Sequence, residues 1–170
     1  MIKPPQYIPD SISPIPETVA IKHVFDIHYG LRGPIDIGNC PSGRRMFFST
    51  SGGVFEGPDI KGKILPDGVD WILTGTNLVS NVDAGVLMQT DDGVVIMARW
   101  LGKVRAEPGV LASITDPDKR GDIAASSVYF RTTPVFETSS EKYSWLMQST
   151  FIASAQFTKE GICYRVMRLK

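Results

Sequence analysis

The sequence predicts an all-β protein, a single closed or nearly closed antiparallel β-barrel of about 8–10 strands with one short helix. Two observations lead to this prediction. Short segments whose apolar residues alternate with period two follow one another along the chain, and turns rich in glycine, aspartate and proline separate them. Closing such strands into a barrel removes exposed edges and leaves room for one small ligand.

The size and charge of the chain limit the classes of function. Its 170 residues suffice for one domain with its own core. Eighteen basic residues balance eighteen acidic ones without a large basic cluster, which argues against a nucleic-acid partner. Apolar runs fall short of the roughly twenty residues that span a bilayer, and the N-terminus has no signal-peptide pattern. We therefore expect a soluble, cytoplasmic protein with no membrane partner.

The cysteines and histidines give no support for a metal site. Cys40 and Cys163 lie far apart in the sequence, form no paired motif and are expected to be reduced thiols. His23 and His28 have opposite parity on one predicted strand, so they cannot face one metal ion together. The sequence accordingly predicts neither a metal nor another cofactor.

The N-terminal segment differs from the rest of the chain. Five of the twelve prolines fall within residues 1–17, where they keep the chain extended and remove hydrogen-bond donors. We predict a proline-rich arm here, followed by the barrel domain at 18–170. The arm could hang free or lie across a neighbouring subunit, and its apolar side chains favour the second arrangement and hence a homo-oligomer. These side chains are Ile2, Tyr7, Ile8, Ile12 and Ile15.

The strands of the barrel are predicted from their alternation. The first begins at Thr18 and places on one face Val19, Ile21, His23, Phe25, Ile27 and Tyr29. The others are expected at about 44–51, 60–65, 69–75, 82–90, 94–102, 126–136, 149–157 and 162–169. Ser139–Met147 has a serine cap and helical spacing, and it is the helix that we predict. Lys103–Ile123 predicts a long loop that forms a lid or rim.

The densest turn signals lie between Gly52 and Gly93. We expect their glycines to supply positions of positive φ or close backbone approach: Gly52, Gly53, Gly57, Gly62, Gly68 and Gly93. Residues 57–63 match the pattern G-x-x-x-x-G-K of a phosphate loop. However, Ile64 lacks the hydroxyl that would bind magnesium, and Pro66 prevents the helix that must follow, so we reject this interpretation.

Three segments of the chain point to a known family. They are GGVFEGPDIKGKILPDGVDW, VDAGVLMQTDDGVVI and YFRTTPVFETSSEKYSWL, in this order, within roughly 19–169. In them the chain resembles the family catalogued as domain of unknown function 3237. The resemblance implies a compact barrel, related in shape to small cyclase-type barrels and associated into oligomers, with no established common activity. The family's hallmarks correspond here to Gly53, Phe55, Gly57, Pro58, Gly62, Gly68, Asp70, Trp71, Asp83, Asp92, Gly93, Phe130, Arg131, Pro134, Phe136, Tyr143, Trp145 and Leu146.

Two positions depart from the family pattern. The family usually has an arginine two residues after the middle aspartate, where this chain has Gly85, and an asparagine after Trp-Leu, where it has Met147. If Gly85 faces the interior together with Asp83, the missing arginine enlarges the cavity and leaves the aspartate without a countercharge. The resulting prediction is a bulkier and more apolar ligand than the family norm.

The candidate catalytic residues are Asp70, Asp83 and His23. Aspartate is unfavourable inside a strand, and an apolar cavity raises the pKa of a carboxyl towards neutral pH, as a general acid or base requires. A histidine on an apolar face could shuttle protons near neutral pH. Each residue also has a structural interpretation. Asp70 could bond backbone amides, Asp83 could be a buried partner of Arg99 or Arg131, and His23 could be a core residue.

The candidate ligand-binding residues are mostly aromatic. A pocket for a flat or terpenoid-like molecule could be lined by Phe55, Trp71, Trp100, Phe130 and Trp145, although such residues more often form plain core. Tyr129 and Arg131 share a strand face and could polarise an oxygen of the ligand, or form a structural contact instead. Gly85 belongs to the same set because, in place of the family's arginine, it would leave room in the cavity for the ligand.

These residues predict a cofactor-independent lyase, isomerase or cyclase that acts by general acid/base proton transfer. Its substrate would be a hydrophobic, oxygenated small molecule, such as a secondary metabolite, held inside the barrel. The alternative is a non-catalytic barrel that binds or carries such a molecule. Covalent hydrolysis is disfavoured because the sequence has no G-x-S-x-G nucleophile elbow.

Overall fold

The computed structural model describes residues 18–170, so the predicted arm at 1–17 lies outside the described residues. Within this range the strands form one antiparallel sheet, which confirms the predicted all-β fold. The elements in chain order are β1 (Ile21–Cys40), β2 (Gly43–Glu56), β3 (Lys61–Ile64), β4 (Val69–Thr74), β5 (Val79–Thr90), β6 (Val95–Arg105), α1 (Pro108–Ile114), α2 (Pro117–Arg120), a 3₁₀ helix (Ala125–Ser127), β7 (Tyr129–Glu137), a second 3₁₀ helix (Glu141–Leu146), β8 (Phe151–Phe157) and β9 (Gly161–Leu169).

The sheet closes into a near-ring because β1 pairs with both β9 and β2. From β9 the pairing continues through β8, β7 and β6 to β5. The short strands β3 and β4 share one position between β2 and β5, since each pairs with a different half of those two long strands. A closed arrangement of this kind leaves few unpaired backbone groups at strand edges.

The turn between β3 and β4 sets where β4 begins. Gly68 donates its backbone N–H to the Thr50 hydroxyl at 2.9 Å, and Thr50 donates its own N–H to the Gly68 carbonyl at 2.9 Å. Asp67, which has a φ of 67°, donates its backbone N–H to the Thr50 carbonyl at 3.0 Å. Because Thr50 is fully buried, these bonds hold the start of β4 firmly against β2.

Aromatic side chains fill one end of the barrel. Phe25 packs edge to face against Phe55 and Phe136, with ring centroids 6.0 and 5.9 Å apart. Trp100 stacks on Tyr164 at 4.7 Å. The second 3₁₀ helix adds two buried side chains to this end, Tyr143 and Leu146. Aromatic pairs of this geometry stabilise a core beyond the area that they bury.

Two segments differ from the expectation based on sequence. The predicted helix at Ser139–Met147 is the 3₁₀ helix Glu141–Leu146, and the predicted loop at Lys103–Ile123 contains the end of β6 together with α1 and α2. Both α-helices have proline in the first turn, where its fixed φ favours helix entry, although in the sequence the same prolines resemble breakers. Within residues 18–170, no helix is long and apolar enough to cross a membrane.

The predicted roles of the central glycines are confirmed. Gly52 and Gly93 have φ values of 93° and 85°, which side chains rarely adopt. Gly53, Gly57 and Gly62 allow neighbouring strands to approach closely, since a Cβ at any of them would collide with backbone atoms of the adjacent strand. These glycines therefore determine how tightly the barrel wall packs.

Gly53→Ala is expected to lower the free energy of unfolding by about 1–3 kcal/mol, the usual effect of overpacking. The added methyl would overlap the His28 carbonyl oxygen and lie 2.6 Å from Tyr29 Cα. Gly109→Ala is the matched control, because beyond its own helix no heavy atom of residues 18–170 comes within 4 Å of the added carbon. Urea unfolding measures both variants, and equal stability would contradict the close strand approach.

Candidate functional site

A cavity of about 910 Å³ occupies the end of the barrel that the aromatic core leaves open. Its mouth lies among the β1–β2 turn, the β4–β5 turn and α1, and its volume is within the range of small-molecule sites. The wall is largely apolar. Its main apolar side chains are Leu31, Met46, Phe48, Ile72, Val104, Leu111, Phe130, Phe157 and Ile162.

Asp70 projects into this cavity from β4. Alternation along the strand turns Asp70, Ile72 and Thr74 inward, so the carboxyl lies deepest and the threonine lies near the mouth. The side chain is buried between the in-register neighbours Phe48 on β2 and Ala84 on β5. Within residues 18–170, its Oδ1 atom has no hydrogen-bond partner. The predicted structural interpretation, a carboxylate held by backbone amides, therefore does not apply to that oxygen.

Burial raises the pKa of Asp70 from 3.8 to about 7, and the negative charge of Asp83 adds to the increase. The cause is desolvation, because an apolar surrounding disfavours the charged form of a carboxyl. Near neutral pH, Asp70 is consequently divided between its protonated and ionised forms. A group with this pKa can both donate and accept a proton at working pH.

Three further polar side chains lie in the interior near Asp70. Tyr29 donates its hydroxyl hydrogen to the Tyr164 hydroxyl at 3.5 Å, and the two rings stack at 5.9 Å. Burial raises the pKa of both phenols, and the charge of Asp70 contributes to each increase, which places the tyrosines within its electrostatic reach. The Trp100 Nε1 atom finds no hydrogen-bond partner in the described part of the chain. Unpaired buried polar atoms are unfavourable for folding and call for an explanation.

The expectation that Asp83 also faces the interior is wrong. Asp83 pairs in register with Trp71, so both point outward, whereas Asp70 and Ala84 point inward. Arg99 donates Nε to Asp83 Oδ1 at 2.9 Å and Nη2 to Oδ2 at 2.8 Å, and this pair is half exposed. The bonds from Arg99 lower the pKa of Asp83, so it remains ionised. The alternative expectation of a pair with Arg99 is therefore confirmed, but the pair lies at the surface and is not buried.

Gly85 and His23 also lie on the outer face. Gly85 shares the parity of Asp83, so the enlarged cavity and bulkier ligand predicted from it are excluded. His23 is exposed and lies 3.0 Å from Asp26 Oδ1, because a bulge at Val24 shifts the register of β1 against β9. The bulge reverses the alternation, which places His23 outside while Phe25 remains inside.

The predicted ligand-binding residues are divided between the surface and the solid core. Trp71 is 39% exposed and packs on Phe47 at 4.7 Å. Tyr129 is also exposed and lies 5.3 Å below the Arg131 guanidinium, outside the barrel. The cavity wall does not include Phe55 or Trp100, which belong to the aromatic core. Of the aromatic residues proposed from sequence, Phe130 lines the cavity.

Several wall residues were missed by the sequence analysis. Ile72 and Thr74 follow Asp70 at intervals of two, and this parity alone would have placed them beside it. Phe48 can be placed beside Asp70 only once the pairing of β2 with β4 is known. Thr74 and Ser80 form a hydroxyl pair at 2.7 Å near the mouth, across the β4–β5 pair.

The connection between β6 and β7 forms one side of the mouth, as expected for a rim. Pro108 and Leu111 of α1 line the cavity, yet no residue of this short helix is fully buried. Its neighbour α2 is held by Arg120, whose Nε and Nη2 donate to the carbonyl oxygens of Thr158 at 3.2 Å and Lys159 at 2.9 Å. Segments with few buried contacts open more readily than the core.

Comparison with known proteins gives a consistent picture. A family model described as "Protein of unknown function (DUF3237)" matches residues 19–169. A relative named UPF0311 protein from Rhodopseudomonas palustris is 33% identical over 139 residues, which is 81% of this chain and 88% of the relative. Uncharacterised relatives of this kind support the fold but give no reaction.

Two crystal structures extend the comparison. A protein from Acinetobacter baumannii, described as β-barrel like, has 30% identity and a TM-score of 0.77, and the match covers 92% of this chain and 99% of that one. A Penicillium herquei protein described as an enzyme has 18% identity and a TM-score of 0.68, with 94% and 100% covered. At this low identity, the second likeness concerns the barrel fold alone.

Proposed function

Because this chain belongs to the DUF3237 family, whose description leaves the chemistry open, we propose a function from the cavity itself. The protein is a cofactor-independent lyase, isomerase or cyclase that transfers a proton on a hydrophobic, oxygenated small molecule. The observation that carries this proposal is the buried Asp70 carboxyl, one oxygen of which has no partner within residues 18–170, in a cavity that opens to solvent. Perturbed acids in clefts are characteristic of catalytic sites.

Asp70 acts first as the general acid and then as the general base. In its protonated form it donates a proton to an electron-rich carbon or oxygen of the substrate, and the resulting carboxylate then removes a proton from another position. Protons balance in this cycle, so an isomerisation or cyclisation needs no second ionisable group. The apolar wall surrounds the charged intermediate, and Asp83 and His23 do not contact the substrate because they lie outside the barrel. The charge of Asp83 acts only from a distance, by adding to the raised pKa of Asp70.

The fold comparison adds modest support. The Penicillium herquei protein described as an enzyme has the same barrel architecture, so this architecture is compatible with catalysis. A carrier function is the second candidate, because within residues 18–170 the wall presents one carboxyl instead of the two expected from the sequence. A carrier needs the apolar cavity but does not need the proton of Asp70.

Conversion of metabolites in heavy water distinguishes the two functions. The wild-type protein is incubated in D₂O with a small-molecule extract, and products are followed by liquid chromatography and mass spectrometry. An isomerase or cyclase yields an isomeric product, which carries one carbon-bound deuterium when Asp70 protonates a carbon and none when it protonates an oxygen. A lyase yields two smaller products.

Two variants serve as controls in this experiment. Asp70→Asn should reduce the conversion at least about a hundredfold, and Asp83→Asn should preserve it because Asp83 lies on the outer face. A compound that binds wild-type protein and is recovered without deuterium, with no other compound converted, would contradict catalysis and favour the carrier function.

A further inference from the structure

We propose that the cavity takes an uncharged molecule with an apolar body and a hydroxyl or carbonyl oxygen at its buried end. This inference deepens the proposed function, on which it rests, by defining the substrate class of the same site. It follows from three features of the wall: the charges that it carries, the surroundings of Asp70 and the depth at which Asp70 lies.

Among residues 18–170, no uncompensated cation lines the cavity for an anionic ligand. Within the described residues, Asp70 and Arg44 are the charged side chains that line the cavity. Arg44, at the mouth, donates Nη2 to Asp36 Oδ2 at 2.7 Å, so its charge is already compensated. A carboxylate or phosphate ligand would therefore lose its hydration without gaining a new ion pair. The remaining polar lining residues are neutral: Asn39, Ser42, Thr74, Thr76, Asn77, Ser80, Asn81 and Thr115.

The surroundings of Asp70 are equally unsuited to an ammonium ligand. Its in-register neighbours are Phe48 and Ala84, and Ile72 is the next inward residue on its strand. An ammonium group has three N–H donors, and these apolar side chains offer no further acceptor for it. The buried hydroxyls near Asp70, those of Tyr29 and Tyr164, bond to each other, and neither residue is part of the cavity wall. A hydroxyl or carbonyl oxygen requires much less. The protonated carboxyl can donate to a carbonyl or hydroxyl oxygen, and the carboxylate can accept from a hydroxyl.

The depth of Asp70 sets the shape of the ligand. Asp70 and Thr74 are both inward-facing and four residues apart on β4, so they are separated by about 13 Å at the usual rise of a strand. Ile72 lies between them, and Thr74 with Ser80 marks the polar mouth. A ligand that contacts both Asp70 and the polar mouth therefore spans about 13 Å, and its middle part lies against the apolar wall at Ile72.

The preference of the cavity for uncharged ligands can be measured with four probes that share a naphthalene ring. Isothermal titration calorimetry near neutral pH compares 2-naphthol, 2-methylnaphthalene, 2-naphthoate and 2-naphthylmethylammonium. We expect 2-naphthol to bind at least about tenfold more tightly than either ion, because only the ions lose charge hydration. It should also bind about fivefold more tightly than 2-methylnaphthalene, which corresponds to one net hydrogen bond.

Two variants assign the preference to Asp70. In Asp70→Val the advantage of 2-naphthol over 2-methylnaphthalene should disappear, while Asp83→Asn, which alters the outer face, should bind all four probes as the wild type does. Tightest binding of the ammonium or the naphthoate would overturn the inference, as would equal binding of 2-naphthol and 2-methylnaphthalene. Wild-type protein that ranks the probes as expected but converts no metabolite in heavy water would refute the proposed catalysis and leave this inference intact.

Discussion

Asp70→Asn is expected to reduce turnover by at least about a hundredfold, the usual loss when a general acid or base is removed. Asparagine keeps the size of the side chain and its ability to form hydrogen bonds, but it cannot release or accept a proton at working pH. Binding should persist for the same reason. Steady-state kinetics on the substrate found in heavy water would therefore show a fall in kcat with a much smaller change in KM.

The pH profile gives an independent measure of the same residue. Burial raises the pKa of Asp70 to about 7, so the protonated carboxyl that starts the reaction becomes scarce above this pH. We expect kcat/KM of the wild type to decrease as pH rises through about 7, and the residual activity of Asp70→Asn to lack this decrease.

The outer-face variant Asp83→Asn controls for changes of charge in the same region. Its carboxylate is half exposed and bound by Arg99, so its removal should leave turnover within about threefold of wild type. Wild-type turnover in Asp70→Asn, or equal losses in both variants, would end the assignment of Asp70 as the proton donor.

Asp70→Asn is also expected to make the protein more stable at alkaline pH, by up to about 4 kcal/mol. In the folded protein the pKa of Asp70 is about 7, against 3.8 for an ordinary aspartate. Between these values the unfolded chain releases its proton while the folded chain retains it, so the folded state binds more protons. The free energy of unfolding therefore decreases as pH rises from about 4 to about 7, and this loss then stays constant.

Asparagine carries no charge and avoids this loss. Urea unfolding of wild type and Asp70→Asn at about pH 4, 6 and 8 should show nearly equal stability at the lowest value and a growing advantage for the variant above it. Asp83→Asn should show no such gain, because Arg99 already lowers the pKa of that carboxyl. An Asp70→Asn variant that is no more stable than wild type at about pH 8 would show that water or hydrogen bonds solvate Asp70.

The loss of turnover and the gain in stability expected of Asp70→Asn have one origin. A carboxyl in an apolar cavity destabilises the folded state and, by the same desolvation, acquires a pKa suited to proton transfer near neutral pH. If stability alone decided which side chain occupies this position, an uncharged one would be expected. Loss of activity together with a gain in stability is the usual signature of a functional residue.

The period-two alternation of apolar residues was sufficient to predict the all-β class and about nine strands. A sandwich would show the same alternation, so the barrel was inferred from the number of strands alone, and its closure is seen in the pairing of β1 with both β9 and β2. The alternation also identified Asp70, because an aspartate within a strand pattern conflicts with local propensity. The central glycines were predicted correctly for a related reason, since close strand approach and positive φ exclude side chains whatever the wider fold.

Only the tertiary structure decided which strand face is inside. Alternation separates Asp70 from Asp83 and Gly85 only after the pairing of β4 with β5 is known, and the bulge at Val24 reverses the parity of His23 without a clear local signal. The cavity wall depends in the same way on contacts between distant strands, such as Phe48 opposite Asp70. Local sequence determines how a strand alternates, whereas burial depends on what packs against each face, and that is a property of the closed barrel.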